Sequence, residues 1–391
     1  MKSEWKTRRL ADLVEFNPSV ALKKGSIATK VSMDKLQPFT KKITAYEQAK
    51  YGGGAKFANG DTLLARITPC LENGKTAYVD FLNDDEIGFG STEFIVMRAK
   101  EGVCDRQFVY YLATSPYFRS VAIKSMVGST GRQRVQQATI EELKLPLPEI
   151  EEQERLGAFL ALLDEKIALN RQINDNLQQL LFLLYENIIL GTSCTKETQL
   201  SELCSFQEGY VNPAQTHPEY FDGEVKWLRA VDINESFIIE TSRTLTRAGF
   251  ESAKKSALLF KPNTIAISKS GTIGRLGIIA DYMCGNRAVI NIVPNNTNTL
   301  PFIYCFLKRK QREFSNIAVG SVQKNLYVSL LEPLAVSIPD DETLDKFNAA
   351  GVSLLNAVHN NCVENTKLTR LRDTLLPKLM SGEINVSEVQ L

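Results

Sequence analysis

The longest regular pattern in the chain is a spacing of apolar residues that alternates four and three. Within 151–190 it runs through Leu156, Leu160, Leu163, Ile167, Asn170, Asn174, Leu177, Leu181, Leu184 and Ile188. A sustained period of 3.5 residues is the seam of a coiled coil, because it keeps one stripe of the helix facing its partner. Moved on by 191 residues, the same steps read Phe347, Gly351, Leu354, Val358, Asn361, Asn365, Leu368, Arg372, Leu375 and Leu379. Both seams carry two asparagines at the same central steps. A buried amide without a partner costs about 1–3 kcal/mol. Paired antiparallel, the helices bring Asn170 to the level of Asn365 and Asn174 to that of Asn361, so that the four amides satisfy one another. Asn170, Asn174, Asn361 and Asn365 are therefore expected to set the register of the pair. The second seam is the poorer one. Gly351 and Arg372 interrupt it, and Pro377 is expected to kink or end the helix.

The helices belong to a larger repeat. "FVYYLATSPYFRSVAIKSMVGSTGRQRV" at 108–135 resembles "FIYCFLKRKQREFSNIAVGSVQKNL" at 302–326, and both contain the turn Val-Gly-Ser. "RRLADL" (8–13) resembles "TQLSEL" (198–203), and "FANGDTLLARITPCLENGKTAYV" (57–79) resembles "FKPNTIAISKSGTIGRLGIIA" (260–280). Between these lie short β-branched or aromatic runs bounded by Gly, Pro, Asn and Asp, which read as strands. Short helices are expected over 106–125 and 301–317. The glycine of the shared turn is expected to be structural, allowing a tight bend.

The fold class that follows is mixed, α+β. Two tandem globular α/β domains with β-rich cores are separated by two long helices, which form an antiparallel coiled coil in a pseudo-two-fold internal repeat. The expected boundaries are 1–150, 151–191, 192–340, 341–382 and a tail at 383–391. A helix of about 33 residues is about 50 Å long. Two similar blocks on such a spacer form a caliper, of a size suited to two half-sites on a duplex that repeats every ~34–36 Å.

Composition sharpens this in two places. The 391 residues, 43% hydrophobic and 23% charged, are ordinary for a globular chain, and no apolar run reaches the ~18–20 residues of a membrane span. The basic start "MKSEWKTRRLADLVEF" lacks the apolar stretch of a secretion signal, so a cytoplasmic protein is expected. The seven cysteines (70, 104, 194, 204, 284, 305 and 362) include no CxxC pair and read as reduced thiols. The net charge of +1 conceals an alternation. Residues 1–149 hold 22 Lys+Arg against 17 Asp+Glu, and 192–340 hold 16 against 14. The intervening 150–191 hold 3 against 7 and 341–391 hold 5 against 7. Basic blocks alternating with acidic helices hint at nucleic acid on the blocks.

Catalytic chemistry is hard to build from these residues. There are two histidines. His359 follows the seam residue Val358 and reads as helix surface, and His217 lies in a loop-like stretch with no partner motif. No GxxxxGK[ST] phosphate loop is present, and "YGGGAKFANG" reads as a flexible loop. The Asn-Pro-Pro-aromatic tetrapeptide of adenine methyltransferases is absent; "FNPS" and "VNPA" stop short of it. Lone cysteines read as small core residues. No catalytic residue and no metal site are expected.

The order block, helix, block, helix resembles the specificity subunit of type I restriction–modification enzymes. The ending "RLRDTLLPKLMSGEI" (370–384) is similar to the second helix of that family. "LPLPEIEEQERLGAFLALLDEKI" (145–167) is similar to the start of the first, and "LLARITPCLENGKTA" (63–77) to a stretch of its recognition domains. The resemblance covers essentially the whole chain. It implies a non-catalytic subunit whose two domains each read one half of a split double-stranded DNA target. It also implies two methylation subunits docked on the helices and motor–nuclease subunits in the full complex. S-adenosylmethionine, ATP and Mg belong to those partners, none to this chain. The DNA-reading candidates are polar or basic residues on glycine-punctuated loops. In the first block they are Arg66, Thr68, Lys75, Ser129, Thr130, Arg132, Gln133 and Arg134. In the second they are Lys269, Ser270, Thr272, Arg275, Ser321, Gln323 and Lys324. Arg or Lys pairs with guanine edges, Gln or Asn with adenine, and Ser or Thr with phosphate. Trp227 and Arg229 read as core and strand. A stand-alone two-site DNA-binding regulator and a protein-interaction scaffold remain the alternatives.

Overall fold

Each short β-branched run becomes a strand, and the same strands recur in both halves of the chain. A computed structural model describes residues 5–191, 196–320 and 324–386. Contacts divide the chain into two units, one of residues 1–168 with 367–391 and one of residues 169–366. Each unit therefore contains a stretch of both long helices.

In the first unit an antiparallel sheet runs in the order Val14–Phe16, Phe94–Ala99, Thr62–Ala65, Thr76–Tyr78. A second sheet runs Glu47–Lys50, Ile27–Val31, Gly88–Gly90, Lys56–Phe57, with its central pair parallel. A two-stranded ribbon pairs Lys6–Arg9 with Lys144–Leu147. The helical stretch expected over 106–125 is two helices, Arg106–Thr114 and Pro116–Lys124. Asp105 starts the first by accepting the Phe108 backbone N–H at 2.7 Å. Ser115 caps the second, with Pro116 in the first turn where its missing N–H costs nothing. Phe108, Tyr110, Tyr111 and Phe118 pack with Leu156, Leu160 and Leu163 of the first long helix and with Leu376 and Leu379 of the second.

The second unit repeats this arrangement with one strand added, Phe237–Ile238 at the edge of its first sheet. One sheet runs Cys204–Glu208, Val289–Pro294, Thr264–Ser268, Leu276–Ile279, Phe237–Ile238; the other runs Thr244–Leu245, Phe221–Leu228, Met283–Gly285, Leu259–Phe260, again with a parallel pair. The ribbon joins Lys196–Gln199 to Ala335–Ile338. Leu300–Lys310 and Phe314–Ile317 occupy the stretch expected to be helical over 301–317.

The long helices span Ile150–Gly191 and Asp341–Met380. Gln153, fully buried, ties down the start of the first: it donates to the Pro148 carbonyl at 2.9 Å and accepts the Asp105 N–H at 3.2 Å. Asp340 caps the second through the N–H and hydroxyl of Thr343. Within the second unit, Asn170 donates to Asn365 at 3.0 Å and to Glu364 at 2.6 Å. Asn361 donates to Asn174 at 2.8 Å, and Asn174 reaches the Val358 carbonyl at 3.4 Å. Contacts of 170 with 365 and 174 with 361 mean that the two helices run in opposite directions there.

Several expectations need correcting. Pro377 neither ends nor interrupts the helix, which continues to Met380. It is exposed and one turn from the end, so the lost N–H bond faces solvent. Arg372 is not a defect of the seam: it pairs with Asp164 at 2.5 Å, both largely buried. Gly351 is not a gap either, since a Cβ there would come within 2.5 Å of Pro301, whose ring fills the space. Beyond Asn174 the buried stripe of the first helix shifts from Leu184 to Tyr185, which packs edge-on against Phe302 and Phe347. His359 is half-buried, 5.0 Å from the Phe237 ring, rather than simply on the surface.

Candidate nucleic-acid interface

In the first unit three loops meet where the strand Thr62–Ala65 ends. The Arg66 N–H donates to the Glu93 carbonyl at 2.9 Å, joining loop 66–75 to loop 91–93. The Arg66 carbonyl accepts the Val135 N–H at 2.8 Å, and the Thr68 N–H donates to Gln133 at 3.0 Å, joining it to the turn 127–135. Val127 and Arg134 close that turn by exchanging backbone hydrogen bonds at 3.0 and 2.9 Å. The second unit repeats the frame. The Lys269 N–H donates to Ala288 at 2.7 Å, its carbonyl accepts the Leu326 N–H at 2.9 Å, and Val319 and Asn325 exchange bonds at 3.0 and 2.9 Å. Gly128 and Gly320 follow the valines with φ of 137° and 142°, a region closed to other residues. At Gly128 a Cβ would also meet the Arg132 carbonyl at 2.9 Å.

Within this frame the candidate side chains differ in how they are held. Ser129, Thr130 and Arg132 are exposed and make no side-chain hydrogen bond among the described residues. Arg134 is gripped by Glu93, whose oxygens accept from its Nε at 2.9 and 3.0 Å and from its Nη2 at 2.6 Å. The hydrogen bonds from Arg134 hold the Glu93 carboxyl below the usual carboxylate range. Arg66, Thr68 and Gln133 are half-buried, and Arg66 Nε and the Thr68 hydroxyl have no hydrogen-bond partner among the described residues. Lys75 is half-buried too and is tied to the Met33 carbonyl at 2.9 Å.

In the second unit Lys269 is held by Glu208 at 2.6 Å and lies 4.9 Å over the Tyr327 ring. Burial disfavours charge on Glu208, but hydrogen bonds from Lys269 and Tyr210 outweigh it and leave the pKa lowered. Ser270 and Arg275 are half-buried, while Thr272 and Lys324 are exposed. Ser321 and Gln323 lie outside the described residues. Trp227 is buried and donates to the Val211 carbonyl at 2.8 Å; Arg229 packs on its ring and reaches Ser242.

Two kinds of residue were missed. Arg287, exposed on the loop beside Lys269, stands 195 residues after Thr92 of the matching loop, so extending the repeat through this segment would have found it. Glu93 and Glu208 give no signal as single acidic residues.

No group of three or more His, Cys, Asp or Glu is placed to hold a metal ion among the described residues. Burial pushes the thiols of Cys104, Cys204 and Cys284 up to about 12, away from a nucleophile's range. No described helix is long and apolar enough to cross a membrane.

A mixed α/β domain present twice, each copy displaying a polar three-loop surface on one backbone frame, defines a repeat-built recognition protein. The profile of the type I restriction modification DNA specificity domain matches residues 2–179 and again 194–372, and the chain belongs to that family. Among curated relatives, the type I restriction enzyme HindI specificity subunit of Haemophilus influenzae is 24% identical, over 85% of this chain and 88% of its own length. The MjaIX specificity subunit of Methanocaldococcus jannaschii is 24% identical over 74% of this chain and 71% of its own. The fold is also that of the type I restriction–modification S subunit from M. genitalium, with a TM-score of 0.54 at 19% identity and 96% of both chains covered.

Proposed function

We propose that this chain is the DNA-recognition subunit of a type I restriction–modification system and is itself non-catalytic. Each globular domain, 1–150 and 192–340, reads one half of a bipartite target in double-stranded DNA. The long helices at 151–191 and 341–382 set the spacer between the halves. The observation that carries this is the duplicated frame: the same backbone bonds hold loops 66–75 and 127–135 in one copy and 269–275 and 319–326 in the other, with different side chains on each. A constant frame with variable polar groups is what two readers of different sequences require. Arg66, Thr68, Ser129, Thr130, Arg132, Gln133 and Arg134 serve the first half-site, with Lys75 buttressing its loop. Lys269, Ser270, Thr272, Arg275, Ser321, Gln323 and Lys324 serve the second, joined by Arg287.

Two methylation subunits dock along the helices, and motor–nuclease subunits join for cleavage. The first helix offers a surface for this: Leu162, Leu169, Ile173, Leu180, Leu183 and Leu190 are exposed at heptad-like spacing. S-adenosylmethionine, ATP and Mg are held by those partners, and the complex works in the cytoplasm, where its DNA is. The test is to delete this chain and sequence the methylome. One split adenine-methylation motif should vanish, and unchanged motifs would sink the reading. Replacing 1–150 with the block of a relative should change one half of the motif only. Co-purification with a methylation subunit separates this function from that of a stand-alone regulator.

A further inference from the structure

We propose that Arg134 is the residue through which the first domain reads a guanine, and that Glu93 is the positioning residue that aims it. This rests on the DNA-recognition reading above. A guanidinium can grip a neighbour along either of two edges. Glu93 takes the Nε–Nη2 edge of Arg134 entirely, with contacts of 2.6–3.0 Å. Nη1 makes no hydrogen bond among the described residues, and the Arg134 side chain is 44% exposed. The edge left over, Nη1 with the second hydrogen of Nη2, points away from the carboxylate. It offers two parallel N–H donors, the complement of the O6 and N7 acceptors that guanine alone presents side by side in the major groove.

The second unit removes the structural explanation for this fork. The position of Glu93 is taken there by Ala288, held by the same backbone bond from the preceding loop. The position of Arg134 is taken by Asn325, in the same exchange of bonds with a valine. Both members of the fork are replaced together, and the backbone exchange between Val319 and Asn325 still forms. The fork is therefore not needed for that exchange, and an exposed ion pair adds little stability. Pinning the arginine does have one clear effect: it removes rotamer freedom that would otherwise be lost on binding. It turns a flexible cation into a fixed pair of donors.

The test uses the complex of the full chain with its methylation subunits and duplexes carrying the methylated motif. Each guanine in turn is replaced by 7-deazaguanine, which lacks the N7 acceptor. Wild-type binding should fall about tenfold at one guanine, within the range of a lost bidentate contact. Arg134→Ala should bind the natural duplex about tenfold more weakly and be indifferent to the substitution at that guanine. Glu93→Gln should keep binding but reduce the sensitivity to about threefold, an effect that a residue with only a structural role would not have. Arg134→Lys, which keeps the charge without the fork, guards against misfolding and should behave like Arg134→Ala at that guanine while still binding methylation subunits. The proposal is overturned if no guanine is sensitive, or if the Arg134 variants remain as sensitive as wild type. A wild-type complex with no sequence preference at all overturns the DNA reading itself, and this assignment with it.

Discussion

In the first unit the Tyr111 hydroxyl donates to Asp164 at 2.7 Å, and the other oxygen of Asp164 receives Arg372 at 2.5 Å. Lys41 reaches the same phenol at 3.2 Å and lies among the rings of Tyr78, Tyr110 and Tyr111. In the second unit the corresponding positions hold Cys305, Leu355 and Leu181, all within one apolar cluster. At these positions the first domain meets its helix segments through a buried polar network and the second through hydrocarbon. Burial alone would lower the Arg372 pKa, but the Asp164 carboxylate outweighs it and keeps the guanidinium charged. Two solutions at equivalent places show that the repeat specifies a shape to be filled, not a chemistry to fill it with. They differ in how they fail. A buried charge that loses its partner is penalised more than it was ever rewarded for having one, whereas a shortened leucine loses only contacts and leaves a cavity.

The largest effect should come from Asp164→Ala, which takes the acceptor from Tyr111 and leaves Arg372 only its exposed neighbour Asp373, at 2.8 Å. A loss of about 3–5 kcal/mol in the first unit is expected, read as faster hydrogen exchange across 106–124 with 300–317 unchanged. Leu355→Ala should destabilise the second unit by about 3 kcal/mol, with the exchange pattern reversed. If both variants loosen both units equally, the seats are not independent. Asn361→Ala leaves the Asn174 carbonyl oxygen without its donor and should cost about 1–3 kcal/mol in urea unfolding. Copying the apolar seat into the first unit, with Tyr111→Cys, Asp164→Leu and Arg372→Leu together with Lys41→Met so that no ammonium is left unpaired, should land within about 1 kcal/mol of wild type. A loss as large as that of Asp164→Ala would mean that the polar network is irreplaceable.

The smallest effect belongs to Lys41→Met, under about 1 kcal/mol, because desolvation opposes the cation–π attraction. Its sign shows in the pH dependence. Burial lowers the Lys41 pKa from 10.5, so the folded state binds fewer protons than the unfolded one between the two values. Its contribution to stability should therefore rise as pH climbs toward 10.5, and the methionine variant should lose that slope.

The fold was largely legible because its signals are periodic. The seam arithmetic places Leu156, Leu160, Leu163 and Leu379 in the buried stripe, and the strand runs between Gly, Pro and Asn become the sheets. The seat was not legible, for a physical reason. A heptad reading scores each helix alone, so Arg372 looked like a flaw; its partner Asp164 lies one step past the seam residue Leu163, 208 residues away. The tyrosine that completes the network comes from a different helix again. Likewise, Gly-rich loops could be chosen as candidates from composition. That Arg134 is held by Glu93 while Arg132 is left open depends on a loop crossing that no local pattern encodes.

The frame built on Gly128 and Gly320 has a consequence for how such a protein changes over generations. Its backbone is fixed by glycines and main-chain bonds, while Ser129, Thr130, Arg132, Thr272 and Lys324 stand exposed around it. Substitutions at exposed positions usually shift stability by no more than about 0.5 kcal/mol. Drift at these sites is therefore nearly invisible to folding and fully visible to whatever the loops touch. The chain separates the inherited part of its architecture from an alphabet that it can rewrite one residue at a time.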